Sequence, residues 1–164
     1  MKIIEQEEVR KLLQPKDCIQ LMAEALKGLE SGEYAQPARL ITVMPNTAKF
    51  GFMPAYVGDY FGAKVISAFA PNMGTKYPSH IGYVMLFESA HSTVAGMIEA
   101  GSITEIRTGA VSAAATDLLA RKDSHKLALI GAGAQARSHL AAIREIRDIT
   151  SVTVYDLFPQ AAER

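Results

Sequence analysis

Residues 126–156 read KLALIGAGAQARSHLAAIREIRDITSVTVYD, and the fold of the chain is decided by this order of apolar run, glycine turn, amphipathic stretch and second apolar run. Leu127 to Ile130 is short, apolar and stopped by Gly131, as a strand buried on both faces of a parallel sheet should be. Gly131, Gly133 and Ala136 fill the small positions of G-x-G-x-x-G/A. The first allows a tight turn, the second lets backbone approach a pyrophosphate, and the third lets helix pack closely on strand. Unpaired N–H groups of the next helix then face the anion. Along that helix Ala136, Leu140 and Ile143 make one apolar stripe, leaving Arg137, Arg144, Glu145 and Arg147 on the polar side. Val152 to Tyr155 is the second strand. Asp156 closes it twenty residues after Ala136, where a carboxylate can accept a hydrogen bond from a ribose hydroxyl. Glycine turns also end strands for steric reasons alone; the flanking strand, helix and acid supply the context a nucleotide site requires.

Working outward, residues 157–164 begin a helix at Pro159 and stop before the third strand that a mononucleotide-binding half needs. The chain therefore reads as the front part of a longer protein. Upstream, the polar run Arg121-Lys122-Asp123-Ser124 marks a boundary. The expected fold is α/β overall, with an α+β domain over residues 1–121 and the incomplete first βαβ part of a Rossmann-type domain over residues 122–164. In the first domain the pattern predicts a short helix over 7–13. A second runs from Pro15 to Ser31, with Cys18, Leu21, Met22, Ala25, Leu26 and Leu29 on its apolar side. Strands are expected over 40–44, 50–54, 63–69, 81–88 and 93–99, separated by turn signals such as Gly58-Asp59. Strands without alternating helices suggest a largely antiparallel or mixed sheet. Ser102 and Glu105 have capping-box spacing, opening a helix to Leu119 crowded with small residues and able to pack closely.

Composition excludes several classes of function. The chain has 17 basic and 17 acidic residues, so it presents no electrostatic footprint for nucleic acid or an anionic membrane. No apolar span approaches membrane length, and the charged amino end does not resemble a signal sequence, so a cytoplasmic protein is expected. Cys18, the one cysteine, reads as a buried small hydrophobe. The four histidines share no ligand spacing, and no metal site is expected.

Three cations have positions suited to chemistry. Arg39 follows Gln36-Pro37-Ala38 at the mouth of a strand, where its guanidinium fork suits a carboxylate, although a solvated strand-end charge is the more ordinary reading. Lys64 interrupts the apolar run 63–69, which places it in a cleft or at a sheet edge. Arg107 lies in the first turns of the small-residue helix, a position that calls for an anion or for an ion pair with Glu99 or Glu105.

Taken together, Gln36-Pro37-Ala38-Arg39, Phe52-Met53-Pro54-Ala55, Gly62-Ala63-Lys64, residues 105–110 (EIRTGA) and residues 131–136 (GAGAQA) resemble the ornithine cyclodeaminase/mu-crystallin family along nearly the whole chain. The resemblance implies a homodimer whose amino-terminal α+β domain binds substrate and joins the subunits, with a nicotinamide cofactor on the following domain. It assigns Arg39 and Lys64 to the substrate carboxylate, with Lys64 also catalytic, and Arg107 to both substrate and cofactor. Ser79, Thr108, Gly131, Gly133, Ala134, Gln135 and Asp156 fall at cofactor-binding positions, and NAD is expected in preference to NADP because Asp156 would repel an added phosphate. The family's shared chemistry is hydride transfer at an amino-acid α-carbon through an imine, which is then hydrolysed, trapped by a side-chain amine, or is itself the substrate for reduction. The sequence leaves these three open. Its members are about twice this length, and their catalytic aspartate falls beyond residue 164, so this stretch alone is expected to be inactive. Gly51 stands where the ornithine-cyclising members carry an acid, which weakens ornithine as substrate. The alternative is a non-catalytic NAD(P)- or small-ligand-binding protein of the mu-crystallin kind.

Overall fold

The computed structural model describes residues 1–163. In chain order the elements are β1 (Lys2–Ile4), α1 (Gln6–Leu12), α2 (Pro15–Ser31), β2 (Leu40–Val43), β3 (Lys49–Val57), β4 (Tyr60–Ala68), β5 (His80–Glu88), β6 (Val94–Glu99), α3 (Ala100–Leu119), β7 (Lys126–Ile130), α4 (Ala134–Arg144), β8 (Ser151–Tyr155) and α5 (Pro159–Ala162). They form two compact units. One is Met1–Leu12 with Ala25–Ile103; the other is Leu13–Glu24 with the chain from Thr104 onward.

The first unit is built on a six-stranded sheet in the order β1-β6-β5-β4-β3-β2. Four of its ladders are antiparallel and the β1–β6 ladder is parallel, which makes the expected mixed sheet. β3 and β4 pair over nine residues each, from Lys49↔Ala68 to Val57↔Tyr60, across a two-residue turn. Gly58 takes φ +56 at the first central position of that turn, a conformation suited to glycine. Both strands are longer than their sequence signals, because Lys49, Tyr56 and Tyr60 continue the ladder past the apolar stretches. β1 is an addition to the sequence reading: three residues among charges carry no periodic signal, and pairing with Gly96, Met97 and Ile98 makes the strand.

α3 starts earlier than expected. Its first turn is capped by Glu99, whose carboxylate accepts the N–H groups of Gly101 and, at 2.8 Å, Ser102. The expected capping box does not form. Ser102 is 1% exposed, and its hydroxyl has no hydrogen-bond partner among the described residues.

In the second unit α3 and α4 cross closely, as the small residues of α3 suggested. A side chain at Gly109 would run into the backbone of Ser138 and His139, so glycine sets the approach. Ala113, Ala142 and Ile143 form the buried centre, flanked by Ile19, Leu127, Ile146 and Ile149. Cys18 is 1% exposed, as read from sequence. Leu21, Leu26 and Leu29 remain exposed instead of joining it, so the inward line of α2 is narrower than its apolar stripe. β7 and β8 pair in parallel in register from Lys126↔Ser151 to Ile130↔Tyr155.

Arg147 corrects the sequence reading most sharply. It is 7% exposed rather than on a solvated face. Its guanidinium reaches Asp117 Oδ1 at 2.6 Å and donates to the carbonyls of Thr116, Asp117, Ala120 and Arg121. These are the orphan acceptors of the last turn of α3 and of the residues after it, so one side chain closes the helix and neutralises its negative end. Removing Arg147 leaves the carbonyls at the end of α3 without their donor, and each buried group left unsatisfied costs about 1–3 kcal/mol. Arg147→Met is therefore expected to lower stability by about 3 kcal/mol in urea unfolding, and Arg147→Lys to recover a minor part of it because an ammonium cannot span the fork. An unchanged midpoint in Arg147→Met would show that water replaces the clamp.

Candidate functional site

The register of the first unit places two of the three cations. Lys64 pairs with Met53 of β3 and Val84 of β5, and Val84 with Ile98 of β6. Directly opposed residues share a face, so these side chains form one row across the sheet. Arg39 stands one residue before β2, next to the Leu40↔Phe52 pair; the Ala35↔Tyr56 bridge upstream is one residue out of step with that ladder, so the chain bulges over residues 36–39. Arg39 therefore lies at the β2 end of the sheet, and Lys64 on β4, two strands away across β3. Lys64 is half-buried and Arg39 exposed. Met53, which lies between them, was not placed in the site by sequence reasoning. Counting alternate residues back from Lys64 through the Gly58 turn would have found it.

Ser79 is half-buried at the end of the loop before β5. Its hydroxyl lies 3.1 Å from His80 Nδ1 and its carbonyl accepts the Phe69 N–H, closing the loop on itself.

The remaining residues belong to the second unit. Because α3 begins at Ala100, Arg107 sits two turns inside the helix rather than beside its amino terminus, and the terminal-charge argument for an anion there does not hold. Arg107 is half-buried near Cys18: burial pushes the Cys18 thiol up, and the Arg107 charge opposes that shift. The Thr108 hydroxyl donates back to the Thr104 carbonyl, within the helix.

The glycine turn has the more informative geometry. Gly131 has φ +98, which requires glycine, and its N–H donates to Tyr155 O at 2.7 Å. Gly133 is the amino-terminal cap of α4 with φ −77 and ψ −171, extended backbone open to any residue. A side chain there would meet nothing within 4 Å. Glycine is an ordinary residue at a helix amino-terminal cap, and the open space at 133 also leaves room for the close approach of a group from outside. α4 has no side-chain cap, and the exposed Ala134 and Gln135 lie in its first turn beside this gap. Asp156 lies across the turn. Its Oδ2 accepts the Ala132 N–H at 2.8 Å and its Oδ1 the Phe158 N–H at 2.9 Å, which fixes the carboxylate beside the glycines. Glycine turn, bare helix start and oriented acid together suit a diphosphate with an adjoining ribose. Among the described residues no cluster of His, Cys, Asp and Glu could hold a metal ion. No helix among them is long and apolar enough to cross a membrane.

The profile of the ornithine cyclodeaminase/mu-crystallin family matches residues 1–164. The chain belongs to that family. It is 32% identical to the ketimine reductase mu-crystallin of Mus musculus over 87% of the chain, covering 46% of that relative. With the alanine dehydrogenase of Archaeoglobus fulgidus it shares 28% identity over 99% of the chain and 50% of the relative. Among solved structures, Delta(1)-pyrroline-2-carboxylate reductase of Thermococcus litoralis in complex with NADH and L-proline superposes with a TM-score of 0.92 at 33% identity, covering 99% of this chain and 51% of that one. An archaeal alanine dehydrogenase dimer with bound NAD superposes at 0.93 and 28%, covering 98% and 50%. The chain thus spans about half the length of the relatives it matches, and the mixed sheet and β7-α4-β8 unit form the fold of their amino-terminal part.

The Phe158 and Ala132 N–H groups hold the Asp156 carboxyl below the usual carboxylate range. A depressed folded-state value contributes stability that is present above the unfolded value and lost as pH falls through the folded one. Asp156→Asn should therefore flatten the acid limb of the stability profile below about pH 4 in urea titrations. An unaltered limb would mean that the two backbone bonds do not favour the charged form.

Proposed function

We propose that the chain is the carboxylate-holding and front cofactor-binding part of an NAD-dependent oxidoreductase acting on a small amino acid or its cyclic imine. The observation that carries this reading is the glycine turn, the uncapped start of α4 and the oriented Asp156 carboxylate taken together, with Lys64 half-buried on a central strand of the sheet. NAD supplies a hydride acceptor or donor at the substrate α-carbon. Arg39 and Lys64 bind the substrate carboxylate and fix the α-carbon's orientation, and Lys64 handles charge at the reacting end. Arg107 and Ser79 contribute to substrate and cofactor contacts. Gly131, Gly133, Ala134, Gln135 and Thr108 cradle the diphosphate side, and Asp156 receives the ribose. In this reading residues 1–121 supply the substrate and dimerisation domain and residues 122–164 open the nucleotide-binding domain, although Leu13–Glu24 and α3 from Thr104 onward belong to the same compact unit as β7-α4-β8.

Three of the relatives support this: pyrroline-2-carboxylate reductase with NADH and L-proline, alanine dehydrogenase with NAD, and ketimine reductase mu-crystallin. Enzyme rather than passive binder is favoured by Lys64, since cofactor binding alone gives no reason for a half-buried lysine in an apolar strand. We place the protein in the cytoplasm as a homodimer joined through residues before Arg121. One solved relative is a dimer, and the outer strand β2 is exposed along its length, with Leu40, Ile41 and Val43 open.

Lys64→Met in the full-length protein should keep the fold and cofactor affinity and lose turnover, followed by absorbance of the reduced nicotinamide with alanine, proline and cyclic imines. Wild-type activity in that variant would make Lys64 structural. Gly133→Ala should change stability by less than about 1 kcal/mol yet weaken NAD binding, whereas Gly131→Ala is destabilising in its own right. By calorimetric titration NAD should bind at least ~tenfold more tightly than NADP, because Asp156 repels the added phosphate. Equal affinities would remove Asp156 from the ribose site.

A further inference from the structure

The end of β8 holds the glycine turn by its backbone. The Gly131 N–H donates to the Tyr155 carbonyl at 2.7 Å, continuing the parallel ladder beyond Ile130↔Tyr155, and the Ala132 N–H donates to Asp156 Oδ2 at 2.8 Å. Asp156 Oδ1 accepts the Phe158 N–H at 2.9 Å, which sets the carboxylate from its other side. Gly131 leaves β7 in a left-handed conformation, φ +98, and the chain is caught at the very next residue by a charge-assisted bond, the stronger kind. The Ala132 N–H is thereby committed within the chain. The donors that face a diphosphate are then those from Gly133 into the first turn of α4, a helix without a side-chain cap.

We infer that Asp156 is a positioning residue for the diphosphate as well as an acceptor for the ribose, because its bond to Ala132 aims the N–H groups from Gly133 onward at the anion. This rests on the nucleotide site proposed above and deepens it. The carboxylate has two opposed effects on a bound diphosphate: its charge repels the anion, and its bond to Ala132 keeps the donors aligned. Asp156 is only half-buried and Gly131, Gly133, Ala134 and Gln135 are exposed, so water screens the repulsion. Alignment is not screened in this way. Ala132 stands between two glycines, the residue with the widest backbone freedom, and a turn released from Asp156 reorients easily. Alignment therefore outweighs repulsion, and the sign of the effect on a diphosphate separates the two.

The probes are ADP and its dideoxy analogue, which keeps the diphosphate and lacks both ribose hydroxyls. Each is titrated calorimetrically into the full-length protein, as wild type, Asp156→Ala and Asp156→Asn, with urea unfolding as the check that the variants are folded. Asp156→Ala is expected to weaken dideoxy-ADP at least ~tenfold, and ADP by more because the ribose contact is lost too. Asp156→Asn removes the charge but keeps one acceptor oxygen, so it should weaken dideoxy-ADP by a smaller factor, at least ~threefold; it decides the matter if Asp156→Ala does not fold. Dideoxy-ADP bound as tightly as by wild type, or more tightly, in a folded variant that has lost affinity for ADP overturns the inference and leaves Asp156 as a ribose acceptor alone. Wild-type protein that binds neither ADP nor NAD removes the nucleotide site and this inference with it.

Discussion

A strand that alternates its side chains between two faces allows no small error of register, because a slip of one residue exchanges the faces entirely. β4 is held against that slip from both sides, by nine pairs with β3 and nine with β5. The Gly58 turn fixes the first set, and the fit of Ile41 and Ile66 over Gly51 fixes which face receives the isoleucines. In the observed register Lys64 shares its row with Met53 and Val84, while Phe61 and Phe87 stack on the opposite face with centroids 5.3 Å apart. A slipped strand would carry Lys64 to the face of those aromatics.

The second unit solves a different problem. Its buried centre is made of small side chains, so it gains little apolar area and relies on close helix contact instead. Gly109 lets the backbones of α3 and α4 approach, and Arg147 ties the end of α3 to the segment that follows α4. Hydrogen bonds from Arg147 and then Lys122 hold the Asp117 carboxyl below its usual range, so the clamp is fully charged at neutral pH. The start of α4, where the glycine turn lies, is thereby carried on a fixed support.

Legibility in the sequence followed the range of the interaction. The β7-turn-α4-β8 order, the five later strands and the close-packing character of α3 all depend on neighbours within a few residues, and all were readable. What escaped depends on partners far along the chain. β1 becomes a strand only against β6. Arg147 looks like a surface arginine until Thr116 to Arg121 are brought to it. The start of α3 was misplaced by two residues because a capping glutamate from the preceding strand competes with the Ser102 to Glu105 spacing, and Arg107 lost its terminal position as a result. Arg39 and Lys64 were each visible as candidate cations, but the row of Lys64 with Met53 and Val84 required the sheet register.

β8 is exposed at every position, Ile130 at the end of β7 is 89% exposed, and Val152, Val154 and Tyr155 stand open beside it. A parallel pair of this kind is a template for further strands. Over residues 151–155 the run is β-branched and aromatic, free of charge and free of proline, the composition that favours intermolecular sheet growth. An edge of this composition pairs readily with any extended strand laid beside it, at the very strand that ends in Asp156. A single charged residue at Thr153 would act as a gatekeeper there.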